Sequence, residues 1–183
     1  VTYGRAFTAE VFGDWGGEDY KDLMAVMDEL VQRPYVDPKR TGMHGYSYGG
    51  YMSAWIIGQT ERFKAAVCGG ACFDLVSMDG TSGISHTFGD LQWGGQPHDS
   101  EAWYKAHSPS TYAHRATTPT LIIQGEADER CPVGQAEQMF VTLKKAGCEA
   151  EMARYPGQSH IYLIAGPPDH RIDMYTRVLE WFE

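Results

Sequence analysis

From Gly17 to Gln32 the apolar residues Leu23, Val26, Met27, Leu30 and Val31 recur at three- and four-residue spacing, the stripe of an amphipathic helix, and Pro34 ends it. Arg40 to His44 predicts a short strand running into Gly45-Tyr46-Ser47-Tyr48-Gly49-Gly50, and Tyr51 to Thr60 predicts a helix with Met52, Trp55 and Ile56 on one side. Phe63 to Gly69 is a compact apolar run closed by glycines, a strand of the kind buried on both faces of a parallel sheet. Between Ala71 and Pro119 the periodicity is lost. That stretch holds Trp93, Trp103 and His86, His98, His107 and His114, and is too long for a plain connection, so it predicts short helices and one wall of a binding site. Thr120 to Gly125 resumes the buried-strand pattern. Pro132 to Ala146 is helical with Val133, Ala136, Met139, Phe140 and Leu143 on one face, Glu149 to Tyr155 is a last strand, and Pro168 to Glu183 a last helix.

Four strands alternating with helices imply right-handed crossovers and a parallel, doubly wound α/β sheet, with residues 1–183 read as one unit without repeat or linker. The opening Val1-Thr2-Tyr3-Gly4 lies in a glycine-containing loop instead of a capped element and reads as a cut in a longer chain. A hydrophobic share of 43% supports a real core, which argues against disorder. A formal charge of −9 without a run of like charges argues against nucleic acid or an anionic membrane surface as partner. No segment approaches the length of a membrane span and Val1 to Glu10 lacks the order of a secretory signal, so a soluble chain is expected. Cys68, Cys72, Cys131 and Cys148 suit free thiols in a reducing, cytoplasmic setting better than a disulfide framework. No second close Cys or His pair accompanies Cys68 and Cys72, so no metal is expected.

Gly45-Tyr46-Ser47-Tyr48-Gly49 matches G-x-S-x-G, in which a serine hydroxyl projects from a sharp strand-to-helix turn. Side chains at Gly45 and Gly49 are expected to collide with neighbouring backbone. Serine is a weak nucleophile until a histidine, itself oriented by a carboxylate, takes its proton. In α/β-hydrolases the partners follow in the order serine, acid, histidine. Asp128 lies just beyond the strand Leu121 to Gln124, at the sheet edge where ligands bind, with Glu126 and Glu129 as alternative acids. His160 sits in the turn-rich Tyr155-Pro156-Gly157-Gln158-Ser159-His160. Its rival is His170, near the final helix; His44 reads as a packed strand residue, and the other four histidines precede Asp128.

Gly45 to Met52, preceded by Tyr35-Val36-Asp37-Pro38-Lys39-Arg40, resembles the nucleophile segment of the prolyl oligopeptidase family, especially its acylaminoacyl peptidase branch. The likeness continues through Tyr3 to Phe7, Asp14 to Gly17, Ser108-Pro109, Thr118 to Thr120, Gly125 to Pro132, and Tyr155-Pro156-Gly157 with His160. It implies the C-terminal half of an α/β-hydrolase domain with a Ser47, Asp128, His160 triad and no cofactor, acting on peptides or acyl-peptides. It also implies that Arg130 faces substrate, against a plain reading as a surface ion-pair partner, with Cys131 near the side-chain pocket. The Tyr48 N–H is expected to be one oxyanion donor, and the second to come from a preceding region together with further strands and a β-propeller. Losing one such donor costs on the order of 10² to 10³ in rate. Trp93 and Phe88 are the first choices to line the pocket, with core packing as the alternative.

In the family's sheet order the strand leading to Ser47 becomes an unpaired edge, apolar on both faces, expected to pair with a missing N-terminal half or another copy. Three functions stay open: serine peptidase, carboxylesterase of the same fold, and a truncated hydrolase module without catalysis.

Overall fold

The computed structural model describes residues 3–183; Val1 and Thr2 of the expected opening loop lie outside the described residues. In chain order the helices are α1 (Arg5–Ala9), α2 (Glu18–Leu30), α3 (Tyr48–Ile57), α4 (Leu75–Thr81), α5 (Asp90–Gln92), α6 (Glu101–His107), α7 (Val133–Lys145), α8 (Tyr162–Ala165) and α9 (Pro168–Phe182). The strands β1 (Gly42–Tyr46), β2 (Ala65–Gly69), β3 (Thr120–Gly125) and β4 (Ala150–Tyr155) form one parallel sheet in the order β1-β2-β3-β4.

Side-chain alternation along the strands divides the core in two. Ala66, Cys68 and Ile122 point to the face covered by α3 and α7, where they meet Ala54, Ile57, Ala136, Met139 and Leu143. Val67, Leu121 and Ile123 point to the opposite face, where Met174 and Val178, one helical turn apart on α9, close over them with Tyr155 and Tyr162. β2 is built of small residues because α3 lies tight against it: a Cβ on Gly50 would stand 2.2 Å from the Gly69 carbonyl oxygen. Helix α3 is buried from Gly50 to Ile57, which explains an apolar surface running all round it. Beyond α3 a third cluster gathers Trp15, Tyr51, Trp55, Leu75, Met78, Trp93 and Tyr104, so the aperiodic stretch after β2 folds into short helices around aromatic side chains. All four strands are ordered so that their carboxyl ends carry the Ser47, Asp128 and His160 loops or the chain between Gly70 and Pro119.

Three expectations are corrected. α2 forms, but of its stripe Leu23, Val26 and Leu30 are exposed while Met27 packs inward, joined by Tyr20 and Met24, because only that side of the helix touches the Trp15 cluster. His44 is exposed, not packed, because β1 has no neighbour on its outer side among the described residues and α9 covers mainly the β2 and β3 positions. For the same reason β1 is the expected unpaired edge but is not apolar on both faces: only Met43 and Tyr46 of its residues pack against the core clusters. The helices α1 and α8 are too short to carry a periodic signal and were not anticipated.

Ile122 is 1% exposed in the middle of the sheet. Ile122→Ala is expected to lower stability by about 2–5 kcal/mol, whereas Val141→Ala on the outer side of α7 stays within about 0.5 kcal/mol. Urea denaturation midpoints of the two variants check this contrast.

Candidate active site

Ser47 is the hinge between β1 and α3 and has φ 59° and ψ −118°, the one non-glycine positive φ among the described residues. Such a backbone costs on the order of 1–3 kcal/mol, so the surroundings must hold it. They do: the Ser47 N–H donates to the Gly69 carbonyl at 2.9 Å, and the Ser47 carbonyl accepts from the Tyr51 N–H at 2.9 Å. Gly45 allows α3 to turn back on β1, since a Cβ there would fall 2.0 Å from the Gly49 carbonyl oxygen. The expected collision at Gly49 does not exist. A Cβ on Gly49 would meet nothing within 4 Å, because that position faces open space; the second crowded glycine is Gly50, against β2.

Asp128 follows β3 and is fully buried at its side chain. A buried carboxylate requires hydrogen bonds, and four groups approach it. Its Oδ1 accepts the N–H of Arg130 at 2.9 Å and of Cys131 at 2.8 Å; its Oδ2 receives the His160 imidazole at 2.7 Å and the Gln124 amide at 3.4 Å. The acid and histidine loops are fastened together by the Ala127 N–H on the Gln158 carbonyl and the Glu126 N–H on the Tyr155 carbonyl. Gly125 sits where a Cβ would come 2.5 Å from that Gln158 carbonyl oxygen.

The other edge of the His160 ring, Nε2, lies 2.8 Å from Ser47 Oγ. A carboxylate can only accept, so Nδ1 carries the proton toward Asp128 and Nε2 presents its lone pair to the serine hydroxyl. Burial disfavours the imidazolium, yet Asp128 and the adjacent Cys131 sulfur together outweigh it and raise the His160 pKa above the ordinary value. The hydrogen bond with Cys72 and burial push the pKa of the Cys131 thiol itself up. The resulting array can take a proton from a hydroxyl and return it to a leaving group.

Glu126 is engaged by Arg154 at 2.9 Å, and Glu129 is exposed, so neither replaces Asp128 at the imidazole. His170 lies in α9 against the Tyr155 ring, away from this array. The Tyr48 N–H occupies the first position of α3, where no intrahelical acceptor exists, beside Ser47; the Tyr48 hydroxyl donates to Asp19. A cavity of about 350 Å³ opens at Ser47 and His160 and is lined by Trp15, Tyr48, Cys72, Met78, Ile84, Phe88, Trp93, Arg130 and Cys131. Trp93 is 4% exposed and belongs both to this wall and to the core; Phe88 is half-exposed at the rim. Arg130 borders this cavity and a second depression that His160 also lines, and has no ion-pair partner among the described residues. Sequence reasoning did not assign Trp15, Cys72, Met78, Ile84 or Gln124 to the site. Gln124 left a trace, as an amide side chain inside a buried, mostly apolar strand. Among the described residues no cluster of His, Cys, Asp and Glu is arranged to hold a metal ion, and no helix is long and apolar enough to cross a membrane.

Residues 1–183 match the model of the prolyl oligopeptidase family. The uncharacterized peptidase YuxL of Bacillus subtilis is 43% identical over 182 residues, covering 99% of this chain and 28% of that protein. Dipeptidyl-peptidase 5 of Porphyromonas gingivalis is 31% identical over 99% of the chain and 27% of its own length. Among solved structures, uncomplexed Pyrococcus horikoshii acylaminoacyl peptidase superposes with a TM-score of 0.92 at 32% identity, over 96% of this chain and 29% of that one. An acylaminoacyl peptidase in complex with Z-Gly-Gly-Phe-chloromethyl ketone gives 0.93 at 31%, over 97% and 29%. The fold is that of an α/β-hydrolase, and the chain spans somewhat more than a quarter of the relatives it matches.

The glycine geometry separates three substitutions. Gly45→Ala and Gly50→Ala are expected to destabilise by about 1–3 kcal/mol or more through forced backbone shifts, whereas Gly49→Ala melts close to the parent chain. Thermal midpoints followed by circular dichroism give the order.

Proposed function

Because the chain belongs to the prolyl oligopeptidase family, we propose that it hydrolyses short peptides or N-acylated peptides through an acyl-enzyme on Ser47. The reading is carried by the continuous hydrogen-bonded series from Ser47 Oγ through His160 to Asp128, at 2.8 and 2.7 Å. In the proposed mechanism Oγ attacks the substrate carbonyl while His160 Nε2 takes its proton. Asp128 keeps the Nδ1–H tautomer and stabilises the imidazolium that forms. The Tyr48 N–H, free at the helix start, donates to the developing oxyanion. The imidazolium then protonates the leaving amine, and water repeats the sequence on the ester.

The cavity beside Ser47 is lined mostly by apolar and aromatic side chains, which favours a large apolar residue on the acyl side of the cleaved bond. Trp15, Trp93 and Phe88 are assigned to that pocket, with Cys131 at its base. The phenylalanyl group in the ligand of the acylaminoacyl peptidase complex supports the same class of substrate. Arg130, uncompensated and at the rim, is assigned to an oxygen of the substrate backbone. The open side of β1 and the exposed Leu23, Val26 and Leu30 of α2 support a covering segment, either from the remainder of the polypeptide or from a second copy. Sedimentation of the 183-residue chain alone is expected to show self-association; a monomer with a high, cooperative melting transition would remove this part of the reading.

Labelling of Ser47 by a fluorophosphonate tests the mechanism. His160→Ala is expected to abolish stoichiometric labelling, and Asp128→Asn to slow turnover by about 10⁴ through loss of the working tautomer. Since only neutral imidazole accepts the proton and Asp128 raises its pKa, labelling should increase with pH with a midpoint above 6.5. A rate independent of pH across that range excludes His160 as the base. Cleavage of an N-acyl-phenylalanine anilide in preference to a short-chain ester distinguishes peptidase from carboxylesterase.

A further inference from the structure

Two of the four cysteines meet at the proposed active site. Cys72, just after β2, and Cys131, at the end of the acid loop, are 59 positions apart in sequence, and their Sγ atoms lie 3.6 Å apart. Both are nearly buried, at 4% and 2% exposure, and both line the cavity that opens at Ser47. Cys148 hydrogen-bonds to the Thr118 carbonyl and Cys68 packs inside β2, so neither shares this arrangement. A disulfide needs sulfurs at about 2.05 Å, so joining Cys72 to Cys131 brings the two sulfurs roughly 1.5 Å closer, by side-chain rotation and adjustment of the two loops.

The consequence lies in what Cys131 holds. Its N–H fixes Asp128 Oδ1 at 2.8 Å, and its carbonyl accepts the Gln124 amide at 2.9 Å, the same amide that approaches Asp128 Oδ2. Any shift of the Cys131 backbone toward Cys72 acts on the donors that orient the carboxylate.

We propose that Cys72 and Cys131 form a reversible redox modification site, oxidised to a disulfide by a small peroxide that enters the cavity, and that the bond suppresses the reactivity of Ser47. With Cys72 taken as the first thiol to react, atoms and electrons balance. The Cys72 sulfur, having released its proton, attacks one peroxide oxygen. The O–O bond breaks, the other oxygen leaves as water, and Cys72 becomes a sulfenic acid. The Cys131 sulfur then displaces the sulfenic oxygen, which leaves as a second water carrying the thiol proton. Two thiols are oxidised, one hydrogen peroxide is reduced, and two waters are released. The existence of the bond is independent of the peptidase reading; its effect on Ser47 rests on that reading.

The test treats the full chain with hydrogen peroxide, traps remaining thiols with N-ethylmaleimide under denaturing conditions, and maps peptides by mass spectrometry. Fluorophosphonate labelling of Ser47 is measured in parallel. The expected result is a Cys72–Cys131 linked peptide and labelling slowed on the order of 10²-fold, as for a misplacement of about 1 Å, with recovery in dithiothreitol. Cys72→Ser and Cys131→Ser should each lose the link and keep their own untreated labelling rate after peroxide; if one fails to fold, the other carries the test. The proposal is overturned if both thiols are trapped separately, if either is converted alone to a sulfinic acid, or if the link forms and labelling is unchanged. Should the untreated protein fail to label at all, the peptidase reading falls, and the presence or absence of the linked peptide still decides the modification site.

Discussion

A serine held at φ 59° between a strand and a helix is the constraint on which the rest of this structure depends. An L-residue leaves that conformation unless its neighbours forbid it, and here the restraint comes from one side. Ser47 is tied by its N–H to Gly69 in β2 and by its carbonyl to α3, and α3 reaches β2 only because Gly50 has no side chain. β1 has no strand on its outer side among the described residues. The orientation of the hydroxyl is thus set by β2 and α3, and the small residues of β2 are a requirement of the elbow as much as of the core.

The second requirement is a charge that must stay buried. Asp128 is inaccessible, and a lone carboxylate there would take up a proton or pull the loop open. Two backbone N–H groups, an imidazole and a glutamine amide surround it. Three of these donors come from residues 124–131, so the acid loop closes on its own carboxylate before His160 is added. The histidine then needs only to be delivered, and the loop fastened at Gln158 and Tyr155 delivers it. The Tyr46 ring, 5.3 Å from the imidazole, packs on it from the nucleophile strand, so the three loops meet around one buried ring.

Much of this could be read from sequence because the forces that set it are local. Thr120–Gly125 is buried at every position and coincides with its apolar run, and Pro132 and Pro168 mark helix starts that the structure places within a residue. The order of Ser47, Asp128 and His160 follows from topology, which sequence spacing reports. Less legible were features set by distant neighbours. α2 has a convincing stripe, yet its exposed side is decided by where Trp15 lies, and Trp15 comes from a loop without periodicity. Gly49 looked crowded because the motif contains it, whereas only the approach of α3 to β1 and β2 shows that Gly45 and Gly50 bear the contact. Cys72 and Met78 carried no signal at all, since their place in the cavity depends on how the chain after β2 folds back.

The cavity wall and the acid loop are one piece of structure. Cys131 lines the cavity with its side chain and holds Asp128 with its backbone, and Arg130 does the same from the rim. Displacement of that wall therefore acts on the residues that orient the carboxylate. This couples the cavity wall to His160, because Asp128 and Cys131 are the groups that raise the imidazole pKa. A wall of aromatic residues from the other side, Trp15 and Trp93 with centroids 6.0 Å apart, is anchored in the core and resists the same displacement. Any displacement of the wall then falls on the acid loop, and reaches the Ser47–His160 hydrogen bond through Asp128.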